Sequence, residues 1–448
     1  MQDDLAKPHQ NRTRWGGIDD RRFEASGFFR VAKRGDIWWF VDPDGGRFLS
    51  KGVDTVRTDQ DRIQNSARVP YAESCRRKYG RQQAWREAAA RRLLSYGFNS
   101  LGAWSDVGVA AAGASPLAVA PVIDIGGAFL KKSPGGNAAR AFPDVFDPAF
   151  EAFARRHAHR CCAAFADDAS VLGWFSDNEL RWGPDWRGHE ELLQIFLDLR
   201  PASAGRRAAV DFLRQRYACF DRLRNNWRLE ARSWDELADV AKLKPERGDR
   251  EAATFFADCD AFAGHAAKRY FEVTAGAIKT ADPNHLVLGC RFALVPRPPV
   301  IAAAGDRLDV ISFNCYDPDP ARVIEAYAVG GRPCLVGEFS FRGDDAGLPN
   351  TIGAAPRTPT QAARADGFER YATAGLAHPS LVGYHWFEHA DQPAEGRFDG
   401  ENSNYGIVNI EDDPYVDLTK RMTDVNTRAE QIHAASTVAG KADKRIPT

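Results

Sequence analysis

The sequence predicts an α/β protein: a (β/α)8 barrel with a small N-terminal β-meander and a helical insertion after strand four. Three observations predict it. Short, nearly continuous apolar runs of strand length recur eight times, the pattern of strands buried on both faces of a parallel sheet. Stretches with apolar residues at helical spacing separate them. The 448 residues suffice for eight βα units and an insertion. The expected boundaries are a meander over 1–46, the barrel over 47–436 with its insertion at about 189–248, and a loose polar tail over 437–448.

In chain order, Phe28-Phe-Arg-Val31 and Trp38-Trp-Phe-Val41 flank Arg34-Gly-Asp36, and Asp42-Pro-Asp-Gly-Gly46 supplies a second turn, with Pro and Gly where turns need them. Strand one, 48–53, ends at Asp54. A helical pattern over 84–96 stops at Gly97. Strand two is 98–104. Strand three is 117–123, with Pro121 an awkward member. Asp147-Pro148 reads as an N-cap followed by Pro at the first helical position, opening a helix to about Phe165. Strand four is 171–175. The mainly helical stretch 189–281 exceeds one crossover helix and so holds the insertion. Strands five to eight are 285–290, 308–313, 333–336 and 381–386, with helices at 321–328 and 361–374. The second of these has a capping-box look in Thr358, Pro359 and Gln361. A last helix follows Asp413-Pro414.

Composition narrows the function. With 60 Lys+Arg against 61 Asp+Glu, the formal net charge of -1 leaves no basic excess for phosphates, against a dedicated nucleic-acid binder. No 18-residue apolar run predicts a membrane span. The polar, acidic start lacks the regions of a secretion signal, which points to the cytoplasm, or to the periplasm or exterior where a signal has been removed. The eight cysteines form no C-x-x-C pair, against a zinc ribbon or thioredoxin-type motif. There is no phosphate-cradling Gly loop, G-x-S-x-G elbow or H-E-x-x-H. His385 and His389 beside Asp391 read as satisfied or substrate-binding histidines rather than metal ligands.

In a barrel, chemistry sits just beyond the carboxyl ends of the strands. Those positions carry Asp54, Trp104, Asn178, Glu179, Arg291, Tyr316, Glu338, Trp386 and Glu388. Glu179 follows strand four and Glu338 follows strand seven, so both project into one mouth. Two opposed carboxyls are what glycosidic cleavage requires: one protonates the leaving oxygen, the other attacks or activates water. One carboxyl needs a raised pKa, and mutual repulsion with partial burial can supply it.

Gly173-Trp-Phe-Ser-Asp-Asn-Glu-Leu180 and Val336-Gly-Glu-Phe-Ser340 resemble the strand-four and strand-seven motifs of the glycoside hydrolase clan A barrels. His385-Trp-Phe-Glu-His-Ala-Asp-Gln-Pro393, Gly400-Glu-Asn-Ser-Asn-Tyr-Gly406 and the meander motif Trp39-Phe-Val-Asp-Pro-Asp-Gly45 are similar to the agarase-like family 50 of that clan. The resemblance implies a retaining double displacement on β-linked galactose-type oligo- or polysaccharides, needing no metal or organic cofactor. It implies that Glu338 is the nucleophile and Glu179 the general acid/base. Asn178 would bond the sugar 2-hydroxyl, Tyr316 would bond the nucleophile, and Trp386 would form the floor of the cleavage subsite. Asp54, Trp104, Arg291, His385, Glu388 and Asn402 complete the expected substrate-binding set. The pattern departs from the clan at the end of strand two, where many members carry Arg and this chain has Gly102-Ala-Trp104. Family 50 agarases commonly carry a further N-terminal sugar-binding-type domain, and this chain has room only for the meander. Two alternatives stand beside this reading: a transglycosylase using the same glutamates, and a non-catalytic carbohydrate-binding barrel.

Overall fold

The structure, a computed structural model, describes residues 12–132 and 142–436. The expected tail over 437–448 lies outside the described residues. The meander is present as β1 (Arg30–Arg34), β2 (Ile37–Val41) and β3 (Arg47–Phe48), antiparallel and in that order. Asp42 shapes the second turn by accepting the N–H groups of Asp44 and Gly46, and Gly45 adopts a φ of 93° that an L side chain resists. Phe29, Phe40 and Phe48 share a buried cluster with Leu172, Leu288, Leu335 and Val382 of the parallel strands. Each contributes about 1.5–3 kcal/mol by leaving water. Trp38 donates its N–H to the carbonyl of Pro379, just before a strand begins, so the meander covers the amino ends of the strands.

The parallel strands are β4 (Ser50–Val53), β5 (Ser100–Leu101), β6 (Ala118–Val119), β7 (Gly173–Phe175), β8 (Leu286–Gly289), β9 (Ile311–Asn314) and β10 (Cys334–Phe339). After the short pair β11 (Arg342–Gly343) and β12 (Arg357–Thr358) comes β13 (Leu381–Trp386). All eight expected strands therefore exist. They form a six-stranded parallel sheet, β6-β5-β4-β13-β10-β9, and a two-stranded parallel sheet, β7-β8. Isolated parallel bridges, Val119–Val171 and Val122–Phe175, link β6 toward β7, and Phe292–Phe313 links the end of β8 to β9. The ladder is thin at the first junction because Pro121 has no N–H to give; its carbonyl still accepts from Phe175. At the second, Gly289 and Arg291 take left-handed backbone, φ 88° and 46°, and end the strand.

The helices are α1 (Pro70–Tyr79), α2 (Gln82–Ser95), α3 (Ile125–Lys132), α4 (Pro148–Cys162), α5 (Leu192–Leu197), α6 (Ala204–Arg216), α7 (Phe220–Trp227), α8 (Ala253–Ala281), α9 (Pro298–Arg307), α10 (Ala321–Ala328), α11 (Gln361–Leu376) and α12 (Val416–Ala434). Asp147 caps α4 by accepting the Ala149 N–H, with Pro148 at its start, as expected. Thr360, not Thr358, caps α11: its hydroxyl accepts the Ala363 N–H. The insertion consists of α5 to α7 and two 3-10 turns, followed by α8. The buried residues of α8, among them Phe255, Cys259, Phe262, Ala266, Tyr270, Val273 and Ala277, recur every three or four positions and fix one face against the core. No helix among the described residues is long and apolar enough to cross a membrane.

Candidate active site

Five residues just past the parallel strands hold left-handed backbone without being glycine: Thr55, Trp104, Asp124, Glu179 and Arg291, with φ between 46° and 59°. Such conformations cost of order 1–3 kcal/mol each. They persist because neighbouring chain over-determines them. The Glu179 N–H, for instance, donates to the carbonyl of Arg291, and Arg187 donates to the carbonyl of Glu179. The strain aims side chains inward over the carboxyl ends of the strands.

Glu338, within β10, is buried, and its two oxygens take different donors. Arg291 Nη2 donates to Oε1 at 2.6 Å, and the Tyr316 hydroxyl donates to Oε2 at 2.7 Å. The same Nη2 donates to Asp54 Oδ2 at 2.9 Å, and the Ala103 N–H donates to Asp54 Oδ1 at 2.8 Å. The guanidinium lies against the rings of Trp104 and Phe175, at 4.6 and 5.1 Å. Burial pushes the Glu338 carboxyl up to about 8; the charges of Glu179 and Asp54 add to the push, while Arg291 and the Tyr316 hydrogen bond oppose it. Burial likewise pushes Asp54 up to about 7 against the pull of Arg291. Two buried acids thus share one cation, and burial favours the protonated form of each. Burial, with the Glu338 charge beside it, raises the Tyr316 phenol, which stays a donor.

Glu179 reaches the same space from beyond β7. Asn314, at the end of β9, donates from Nδ2 to Glu179 Oε1 at 2.8 Å and to Asn178 Oδ1 at 3.2 Å. Its Oδ1 accepts from Arg291 Nε at 3.4 Å. Asn314 and Arg291 therefore connect the two glutamates. Asn314 is not among the residues to which the sequence assigns a role.

A cavity of about 1140 Å³ opens above these groups. Glu179, Glu338, Asn178, Tyr316 and Trp104 line it. Asp54 and Arg291 lie beneath, fully buried. Trp386, His385, Glu388 and Asn402 lie outside that lining. Trp386 is fully buried, donates its indole N–H to the Tyr405 carbonyl and packs edge-on against Phe339 and Phe368; its neighbour Phe387 lines the cavity instead. His385 sits under the floor with Nε2 2.9 Å from the Ser50 hydroxyl, and burial pushes it down to about 3, so it is neutral. Glu388 is buried behind the wall beside Arg397 and Gln392. Asn402 accepts the Thr351 and Ile352 N–H groups and braces a loop. Arg397, Phe398, Asp399 and Glu401 also line the cavity; the sequence assigns none of them a role, because no strand leads directly into them.

His389 is buried between Tyr71 and Trp85, and Asp391 accepts from Asn404, Gly406 and Tyr415, apart from His385. Among the described residues no group of three or more His, Cys, Asp or Glu is arranged to hold a metal ion.

The chain is similar to beta-agarases along most of its length. Beta-agarase A of Vibrio sp. (strain JT0107) is 29% identical, over 93% of this chain and 48% of its own. Beta-agarase B of the same strain is 27% identical, over 91% and 49%. The chain spans about half the length of the curated relatives it matches. The solved structure of an exo-beta-agarase superposes with a TM-score of 0.81 at 25% identity, covering 96% of this chain and 69% of the other. No protein-family model matches the sequence.

Proposed function

We propose that the agarase-like chain is a retaining β-glycoside hydrolase acting on β-linked, agarose-type galactan. The observation that carries this reading is the meeting of Glu179 and Glu338 at one cavity, connected through Asn314 and Arg291. We read the eight parallel strands, joined through the isolated bridges, as a (β/α)8 barrel that begins at β4, with the insertion at about 189–248 and the meander, β3 included, as a cover on its amino-terminal end. Glu338 attacks the anomeric carbon while Glu179 protonates the departing oxygen; Glu179 then takes a proton from water, which releases the sugar. Retention calls for carboxyls about 5–5.5 Å apart. The rise of positive charge at the anomeric centre favours ionised Glu338 in the transition state, offsetting the upward push of burial. Asn178 bonds the 2-hydroxyl, and Trp104 and Phe387 supply flat apolar faces for the sugar.

Wild type, Glu338→Gln and Glu179→Ala are to be compared on agarose-type oligosaccharides by product mass. Each variant should lose at least about a thousandfold in kcat/KM. On an activated aryl β-galactoside, whose departing phenolate needs no proton, azide should restore Glu179→Ala and yield a β-glycosyl azide, the product of attack on a covalent intermediate. An α-linked azide, or full activity in Glu338→Gln, would overturn the assignment. Longer products at high acceptor concentration would favour transglycosylation.

A further inference from the structure

Asp54 touches no part of the cavity, yet it is held as tightly as the catalytic pair. It is fully buried, ends β4 and has both oxygens occupied: Oδ1 by the Ala103 N–H and Oδ2 by Arg291 Nη2. That one Nη2 nitrogen has two hydrogens and three acceptors: Asp54 at 2.9 Å, the Gly337 carbonyl at 3.0 Å and Glu338 at 2.6 Å. The charge that would neutralise Glu338 is therefore divided. The groups facing Glu338 are Arg291, Tyr316, Glu179 and Asp54. On the other side of Asp54, His385 Nδ1 lies 3.7 Å away, and that ring is neutral, so Arg291 is the cation both acids depend on. Trp104 and Phe175 fix the guanidinium, which leaves the division of its charge to the two carboxyls.

We propose that Asp54 is a positioning residue that sets the pH at which Glu338 ionises, by holding Arg291 in place and competing for its charge. This rests on the reading of Glu338 as nucleophile. Removing the competing negative charge delivers the whole of Arg291 to Glu338. The Glu338 carboxylate then forms at lower pH, and the acid limb of kcat/KM moves the same way. A purely structural role would lower kcat without moving the limb.

The test uses the full chain with Asp54→Asn and Asp54→Ser; serine keeps one acceptor for the Ala103 N–H should the amide face two donors badly and fail to fold. Two readouts are taken. One is the acid limb of kcat/KM on an agarose-type oligosaccharide. The other is the carboxyl 13C titration of Glu338, identified by its absence in Glu338→Gln, which needs no activity. The expected result is a fall of about one pH unit in both, about tenfold in proton affinity. A Glu338 midpoint that stays within 0.3 units of wild type or rises, in whichever variant folds, overturns the inference. Inactive wild type with the expected 13C shift would overturn the functional reading and leave this one standing.

Discussion

Tyr316→Phe removes one hydroxyl and little else. That hydroxyl makes one hydrogen bond, to Glu338 Oε2 at 2.7 Å, and the ring it leaves behind keeps its contacts at the cavity wall. A hydrogen bond to a charged group is worth about 1.5–3 kcal/mol. If that bond keeps the carboxylate ionised and aimed as it attacks, its loss costs about tenfold to about a hundredfold in kcat/KM. The sign of the pH effect follows from what the bond does. It favours the charged carboxylate, so its loss raises the proton affinity of Glu338 and moves the acid limb to higher pH, opposite to Asp54→Asn. Initial rates on an agarose-type oligosaccharide from pH 5 to 9, with a thermal melt to confirm folding, measure both. A change under twofold with an unmoved limb would refute the role of Tyr316 as a partner of the nucleophile. A raised KM with an unmoved limb would make it a substrate contact only.

Asn314→Ala should cost about ten- to a hundredfold in kcat/KM, because Glu179, Asn178 and Arg291 lose their common partner; a loss confined to KM would argue against it. Trp186, exposed at the cavity rim beyond Glu179, should bind the sugars on the leaving-group side. Trp186→Ala should raise KM for long oligosaccharides several-fold and spare turnover of an activated aryl β-galactoside. Asp412 tests the scaffold. Burial alone would raise its carboxyl, but paired bonds from Arg92 and the Tyr71 and Tyr79 hydroxyls hold it down to about 2. Against an unfolded value near 3.9 this contributes about 2–3 kcal/mol, present above about pH 4 and lost as pH falls through about 2. Denaturant unfolding of Asp412→Asn should show that deficit at pH 7 and its closure near pH 2; a constant deficit would sink the assignment.

The positions that sequence reading placed at the cavity share one property: Glu179, Glu338, Asn178, Tyr316 and Trp104 all lie at strand ends whose apolar runs are legible. Trp386 shows where the rule slips. Side chains alternate along a strand, so Trp386 packs on Phe368 of α11 while Phe387 turns to the cavity. A shift of one residue in phase exchanges a cavity-lining side chain for a core one. Polar residues at a strand end suggest a site, which is why the sequence points to His385 and Glu388; each has a buried polar partner, Ser50 and Gln392, whose proximity one sequence does not reveal. The helices α1 and α9 each begin at a proline, Pro70 and Pro298, a signal present in the sequence and passed over among short apolar runs.

The charges on the cavity wall predict a selection among galactans. Asp59, Glu179, Asp317, Glu338, Asp399 and Glu401 face Arg57 and Arg397. Arg397 is already committed, with Asp61 and Glu388 behind it and Asp399 and Glu401 beside it. A neutral galactan enters such a space with its hydroxyls as donors to carboxylates. A sulfated galactan brings anions into a field of the same sign, where Arg57 is paired with Asp59 and Arg397 is held as above. At low salt the repulsion acts across about 10 Å or more, and at high salt it is confined to a few ångströms. The sulfated oligosaccharide should therefore react at least about tenfold more slowly than its desulfated counterpart at 20 mM salt. The gap should narrow at 500 mM, with the change in KM rather than kcat. Equal rates at low salt, or a gap indifferent to salt, would mean that shape and not charge selects the polymer.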